Sequence, residues 1–392
     1  MEQPTTTIMV GDCRSRLKEI ESDSIDFCVT SPPYWGLRDY GVDGQIGLEE
    51  SVESWVAEMV AVFTEVRRVL KPAGTLWLNL GDSFARDPGK GGSGTFNGRN
   101  GRGEGFLGGN EIPCGLKAKD LIGQPWRVAF ALQARGWFLR SEIIWHKPNP
   151  MPESVTDRPT KSHETVFLLA KSPRYYFDAE AIREEVVSLI PGHPSYRPNS
   201  AVKAAEGRSV HRSETAKHEV TARSYPIAGR NSRSVWSIPT APFPGAHFAT
   251  FPEALPERCI RAGTSEGVCS SCGAPLERKF KTRKTGRRIK APDGWDTGPG
   301  AHGSIHRDGR QAGETVEEEV REFVGWAASC ECGVETRPAV VLDPFFGAGT
   351  TGLVAAKLGR SCIGVELNPE YAAIAESRIR DNVGLMTRIV RT

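Results

Sequence analysis

Val340-Val341-Leu342-Asp343-Pro344-Phe345-Phe346-Gly347-Ala348-Gly349-Thr350-Thr351 carries the strongest structural signal in the chain. Its apolar, β-branched start predicts a strand, its glycines a tight turn, and Thr351 to Leu358 a helix. Such a turn lets backbone N–H groups at the helix start face an anionic or polar ligand, with Gly347 and Gly349 removing side chains that would block approach. Ile363-Gly364-Val365 then predicts a second short strand ending in Glu366, and an acid at the tip of the next strand is placed to grip a ribose diol. A glycine-rich strand-to-helix turn alone is only a hint of a nucleotide site, because ordinary βα connections share it.

Upstream, Ser51 to Leu70 carries Trp55, Met59, Val62, Phe63, Val66 and Leu70 at helical spacing, so it reads as an amphipathic helix with Trp55 in the core. Asp120 to Gln133 reads as a further helix and Trp137 to Trp145 as a strand. The alternation argues for a doubly wound α/β core. Near the start stands Ser31-Pro32-Pro33-Tyr34-Trp35, where two prolines restrict φ, remove backbone donors and hold a rigid turn.

The two segments together resemble those of DNA amino-methyltransferases. Asp343 to Thr351 resembles the family's S-adenosylmethionine loop, and Thr30-Ser31-Pro32-Pro33-Tyr34-Trp35 its reaction motif, which reads Asp-Pro-Pro-Tyr or Asn-Pro-Pro-Tyr in other members. The reaction motif comes first, the permuted order called the beta class. Gly11-Asp12 resembles the adenine-contacting acid, Gly74 to Asn79 a core strand, and Ile143 to Pro152 a later motif. His247-Phe248-Ala249-Thr250-Phe251-Pro252-Glu253 is similar to the segment that closes over the methionine end of the cofactor.

The resemblance implies a Rossmann-like methyltransferase fold with a doubly wound mixed sheet and circularly permuted motif order. Asp12, Asp343, Pro344, Phe345, Gly347, Gly349, Thr350, Thr351 and Glu366 would bind S-adenosyl-L-methionine, and Ser31, Pro32, Pro33 and Tyr34 would carry the reaction. The target amine is conjugated with its ring, so its lone pair is a poor nucleophile until acceptors draw it toward tetrahedral geometry. On the family reading the Ser31 oxygen and Pro32 carbonyl accept the two amine protons, with the methyl group in line. Tyr34, with Trp35 as a further candidate, offers a flat face for a base extruded from double-stranded DNA. Serine in first place is the version usually seen for N4 of cytosine, while N6 of adenine stays open as the alternative. From another class, the rival is an inactive methyltransferase-fold protein that only binds DNA. A cognate restriction endonuclease is the companion protein such an enzyme leaves open.

Pro113-Cys114 is similar to the Pro-Cys dipeptide of carbon-5 cytosine methyltransferases, but the partner motif and motif order of that family are missing, so Cys114 reads as an ordinary thiol. The chain has 392 residues, 39% hydrophobic and 25% charged, enough for two or three domains. No apolar run is long enough to span a bilayer, and Met1 to Val10 lacks a signal-peptide pattern, so a cytoplasmic location is expected. Nine cysteines fit reduced thiols or metal ligands better than a disulfide framework.

Cys269-Ser270-Ser271-Cys272-Gly273 and Cys330-Glu331-Cys332-Gly333 resemble the two knuckles of a zinc ribbon, predicting a structural zinc on Cys269, Cys272, Cys330 and Cys332. The 57-residue gap between Cys272 and Cys330 is long for a compact ribbon, and the second pair is Cys-x-Cys. Within the gap, Arg278 to Lys290 holds eight basic residues in thirteen and no acid, a candidate phosphate-contacting run or a solvated basic loop. His302 and His306, in the same gap, read as surface residues and not as ligands.

The expected organisation is therefore a catalytic core part over 5–178, a target-recognition region over 179–235, a cofactor part over 236–266 and 338–385, and an inserted basic zinc-ribbon-like module over 267–337. Pro88 to Gly109 reads either as a substrate-ordered loop or as a flexible connector.

Overall fold

The computed structural model of the chain describes residues 2–85, 115–184, 230–241, 250–288 and 315–392. The expected loop at 88–109, Cys114, His302, His306, residues 242–249 and most of 179–235 lie outside these.

Two compact units are present. The first comprises Met1–Ile182, Arg233–Leu276 and Ala328–Thr392, and the second Arg183–Ser232 and Glu277–Ala327. In chain order the strands are β1 (Thr5–Val10), β2 (Ile25–Thr30), β3 (Leu70–Leu80), β4 (Phe138–His146), β5 (His163–Ala170), β6 (Val235–Ser237), β7 (Val268–Cys269), β8 (Leu276–Arg288), β9 (Thr315–Ala328), β10 (Thr336–Arg337), β11 (Val340–Asp343), β12 (Ser361–Glu366) and β13 (Arg388–Arg391). The α-helices are α1 (Cys13–Arg16), α2 (Val52–Val69), α3 (Gln124–Ala134), α4 (Ala254–Gly263), α5 (Thr350–Lys357) and α6 (Pro369–Val383).

Nine strands form one mixed sheet in the order β13-β1-β12-β11-β2-β3-β5-β4-β6. All neighbours pair in parallel except at β5, which is antiparallel to both β3 and β4. The central strands are buried almost throughout, as strands covered on both faces must be. One face carries Trp55, Met59, Phe63 and Val66 of α2 with Val128 and Leu132 of α3, and the other Cys259 and Ile260 of α4, Leu353 of α5 and Ile379 of α6. The doubly wound mixed sheet expected from the sequence is therefore the fold.

Helix α2 starts where the Ser51 hydroxyl accepts from the Ser54 N–H at 3.1 Å, and the apolar stripe read from its sequence is buried throughout, Trp55 completely. Helix α3 begins four residues later than the sequence suggested. Gly123 adopts φ +77°, Pro125 lies in the first turn, and the Asp82 carboxylate accepts from the N–H groups of Gly123 (3.0 Å) and Gln124 (3.1 Å). The residues before it pair instead, Leu121 bridging to Phe84.

Because β11, β2 and β3 are parallel neighbours, Asp343, Thr30 and Leu80 end at the same edge of the sheet. Antiparallel β5 brings its first residues, His163 and Glu164, to that edge too. β11 is the strand at which chain order reverses, since β12 lies on one side of it and β2 on the other. The crevice beyond such a switch point is where ligands of open α/β sheets bind.

In the second unit β8 and β9 form a two-stranded sheet, the Arg278 guanidinium lies 4.6 Å from the Trp326 ring centroid, and Glu184 pairs with Arg230 at 3.3 Å. No helix among the described residues is long and apolar enough to cross a membrane.

Candidate active site

One cavity at this edge is lined by Gly11, Asp12, Ser31, Pro33, Asp343 to Ala348, Thr350 and Glu366, with Tyr40, Ile46, Phe251 and Tyr371 among its apolar and aromatic walls. Of the residues singled out from the sequence, Asp12, Ser31, Pro33, Asp343, Pro344, Phe345, Gly347, Thr350 and Glu366 line it, while Pro32, Tyr34, Gly349 and Thr351 do not. Apolar walls with three acids, Asp12, Asp343 and Glu366, suit an adenosyl group, flat and apolar with a polar ribose.

Asp343 is 1% exposed and acts as an internal brace. Its Oδ1 accepts from the Thr30 hydroxyl at 2.6 Å and the Phe345 N–H at 3.0 Å, and its Oδ2 from the Thr351 hydroxyl at 2.6 Å. Burial raises its pKa against the pull of those donors. Glu366 accepts from the Gly347 N–H at 2.7 Å through Oε2 and from the Asn368 N–H at 2.9 Å through Oε1. Burial raises its pKa as well.

The two glycines stand in different surroundings. Gly347 lines the cavity at φ +52°, a conformation that favours glycine, with open space where a Cβ would stand. Gly349, at φ +74°, would put a Cβ 2.8 Å from that of Ala375, so it admits the close approach of α6. Arg378 of α6 donates to the Thr350 hydroxyl at 2.8 Å and the Ala348 carbonyl at 3.2 Å, and pairs with Glu253 at 3.4 Å.

Asp12 caps α1 by accepting from the Arg14 N–H at 2.8 Å, and Arg14 also grips both carboxylate oxygens. Partial burial opposes ionisation, yet the Arg14 contacts hold the carboxyl below its usual range.

In the reaction motif the Trp55 indole N–H donates to the Pro33 carbonyl at 3.1 Å, and the Pro32 carbonyl has no such partner among the described residues. Ser31 Oγ lies 3.2 Å from both the Tyr34 hydroxyl and Asn79 Nδ2. Tyr34 donates to Glu164 Oε2 at 2.9 Å, Asn79 donates to the same oxygen at 2.8 Å, and Lys147 is ion-paired with Glu164 Oε1. Burial first, then the Glu164 charge, pushes the Tyr34 phenol well above its ordinary pKa. Trp35 presents no stacking face: it is 1% exposed, its N–H donates to Gln124 Oε1 at 3.0 Å and its indole to the Glu49 carbonyl at 2.8 Å.

The four cysteines of the two knuckles, all in the first unit, bring their Sγ atoms within 4.8 Å of one another. Gly273 (φ +70°) and Gly333 (φ +64°) make the sharp turns after each pair, and β7 pairs with β10 across the knuckles. The long gap between the pairs contains β8 and β9, of 13 and 14 residues. Backbone hydrogen bonds from Cys272 lower the Cys269 thiol to about 6, while the neighbouring thiols, Cys272 first, raise Cys332 to about 12.

A doubly wound sheet with this loop and a Ser-Pro-Pro-Tyr turn opening on one cavity defines a methyltransferase of the S-adenosylmethionine-dependent class. The family model of N6 and N4 DNA methylases matches residues 25–269 and 335–377. The Type II methyltransferase M.SmaI of Serratia marcescens is 37% identical over 374 residues, 95% of this chain and 90% of that protein. M.Cfr9I of Citrobacter freundii is 37% identical over 391 residues, 100% of this chain and 92% of its own. The cytosine-N4-specific PvuII DNA methyltransferase has the same fold, with a TM-score of 0.50 at 17% identity over 99% of this chain and 98% of its own. The chain belongs to the N6/N4 family of DNA amino-methyltransferases, enzymes that use S-adenosylmethionine and act on DNA.

Sequence reasoning missed Glu164 and gave Asn79, Lys147 and Arg378 no role. Asn79 and Lys147 stood inside quoted motifs, and the signal for Asn79 was a polar side chain among apolar ones in Leu76-Trp77-Leu78-Asn79-Leu80. Glu164 only heads an apolar strand.

Proposed function

We propose that the chain methylates the exocyclic N4 amine of a cytosine turned out of duplex DNA. The observation that carries this reading is the cavity onto which Ser31 and Pro33 open together with Asp12, the 343–350 loop and Glu366. S-adenosylmethionine, when bound, supplies an electrophilic methyl group on a sulfonium. The remaining tasks belong to the chain. Glu366 and Asp12 would hold the ribose and adenine, Asp343 keeps the loop in shape, and the walls exclude water. Ser31 Oγ and the Pro32 carbonyl would accept the amine hydrogens. Trp55 favours that choice of carbonyl, since it occupies the one at Pro33.

Serine in place of a carboxylate supports cytosine over adenine by the family pattern. Nucleoside mass spectrometry of DNA from a methylation-deficient host expressing the protein tests this. N4-methylcytosine is expected, and N6-methyladenine would overturn the choice of base.

The four thiols would hold a structural zinc. Zn–S bonds near 2.3 Å put tetrahedral sulfurs about 3.8 Å apart, which a cluster within 4.8 Å reaches with small adjustments. Exposed Lys279, Lys281 and Arg283 on β8 would meet DNA phosphates. The relatives' Type II names support a companion endonuclease that recognises the same site.

A further inference from the structure

We infer that Tyr34 and Glu164 are positioning residues that fix the direction of the Ser31 hydroxyl, so that Ser31 turns a lone pair, and not its proton, toward the substrate amine. The inference rests on the proposed role of Ser31 as an acceptor. A serine hydroxyl has one proton and two lone pairs and is as ready to donate as to accept. The substrate amine presents hydrogens, so a serine proton aimed into the cavity would meet them head on.

The neighbours of Ser31 decide the matter by proton counting. Glu164, ion-paired with Lys147, is a carboxylate with no proton to give. The single Tyr34 proton therefore goes to Glu164 Oε2, 2.9 Å away. The Tyr34 oxygen, 3.2 Å from Ser31 Oγ, is left to accept, which makes Ser31 the donor in that pair. Glu164 fixes the Asn79 amide in the same way, because an amide turned over would set its oxygen against the carboxylate at 2.8 Å. The second Asn79 hydrogen is shared between Ser31 Oγ at 3.2 Å and the Tyr34 oxygen at 3.1 Å. The Ser31 proton is thus committed to Tyr34 and one lone pair meets Asn79. The remaining lone pair is free for the cavity that Ser31 lines.

The buried Asn79 Oδ1 has no partner among the described residues, a sign that the amide is turned to suit Glu164 at some cost to itself. Lys147, 4.4 Å from the Trp145 ring centroid, anchors the far end of the chain of hydrogen bonds. The Tyr34 hydroxyl thereby acquires a task separate from that of its ring.

Steady-state and single-turnover kinetics on Tyr34→Phe, Glu164→Gln and the double variant test the inference, with Ser31→Ala as reference. Tyr34→Phe keeps the ring and frees the serine proton. Its kcat is expected to fall roughly tenfold, the worth of one hydrogen bond, with cofactor affinity and KM for DNA unchanged. Because Glu164 acts through the Tyr34 hydroxyl, the double variant should lose less than the product of the two single losses. Wild-type kcat in Tyr34→Phe, or fully multiplicative losses, would overturn the inference; Tyr34→Phe suffices where Glu164→Gln fails to fold. Full activity in Ser31→Ala would instead overturn the reading of the site beneath it.

Discussion

Glu366 sits where burial and hydrogen bonding pull its carboxyl in opposite directions, and burial wins, leaving the pKa raised. On the proposed reading its ionised form accepts from a ribose diol, so acidification should weaken cofactor binding at a pH above the ordinary glutamate value of about 4.3. Isothermal titration across pH checks this: affinity should fall as pH drops, and Glu366→Gln should flatten that limb while weakening binding about tenfold to a hundredfold at neutral pH. The sign for stability is the reverse. A carboxyl whose folded pKa is raised contributes most below its unfolded pKa, and that contribution is lost as pH rises through the folded value. Asp343 obeys the same rule, but its replacement has a larger cost. Asp343→Ala strands the Thr30 and Thr351 hydroxyls and the Phe345 N–H at a site 1% exposed. A loss of about 3 kcal/mol in denaturant unfolding is expected, with cofactor affinity falling alongside as the loop loses its shape.

Elements whose information is local were legible in the sequence. β11, the glycine turn, α5 and β12 follow one another within 27 residues, and the structure keeps them nearly where the pattern put them. The start of α3 was misjudged because its capping carboxylate, Asp82, lies 41 residues from Gly123 in the chain. The site divides the same way. Ser31 and Glu366 belong to short motifs, but the company of Asn79, Glu164 and Lys147 depends on three strand ends meeting, one of them from the antiparallel β5, and nothing within His163–Ala170 states which neighbours it will pair with. Gly349 shows the limit from another side, since its sequence context fits a ligand-facing glycine and only the packing of α6 reveals its reason. Gly349→Ala forces both a left-handed φ of +74° and a 2.8 Å approach to Ala375. It should cost about 1–3 kcal/mol, read as a lower denaturation midpoint, with cofactor affinity disturbed only through movement of the loop.

Across the whole of the first unit, the two edges of its sheet are given to different tasks. The cavity proposed for the cofactor lies beyond the carboxyl ends of β11 and β2. The knuckles instead approach the amino ends of the strands: Lys71 at the start of β3 lies against Gly273, and Asp26, near the start of β2, pairs with Lys71 at 2.6 Å and with Arg337 of β10 at 3.2 Å. A metal at the four thiols would therefore act at a distance from the methyl-transfer site, holding the points where the chain departs for β8 and returns from β9. Lys279, Lys281 and Arg283, exposed on β8, make the expected readout electrostatic. Replacing Lys279, Lys281 and Arg283 together by alanine should weaken DNA binding at all sequences alike and lower the slope of log affinity against log salt by up to about 0.9 for each phosphate no longer neutralised. Removal of zinc by a chelator, followed by metal analysis, should lower the thermal midpoint and reduce the same salt slope as the strands lose their anchor. Cofactor affinity in the metal-depleted protein should stay close to that of the intact one, because Asp12, the 343–350 loop and Glu366 are tied to the opposite edge. Equal losses of cofactor and DNA affinity would show that the two edges are coupled, and a protein that purifies without zinc and keeps its midpoint in chelator would remove the metal from the thiols altogether.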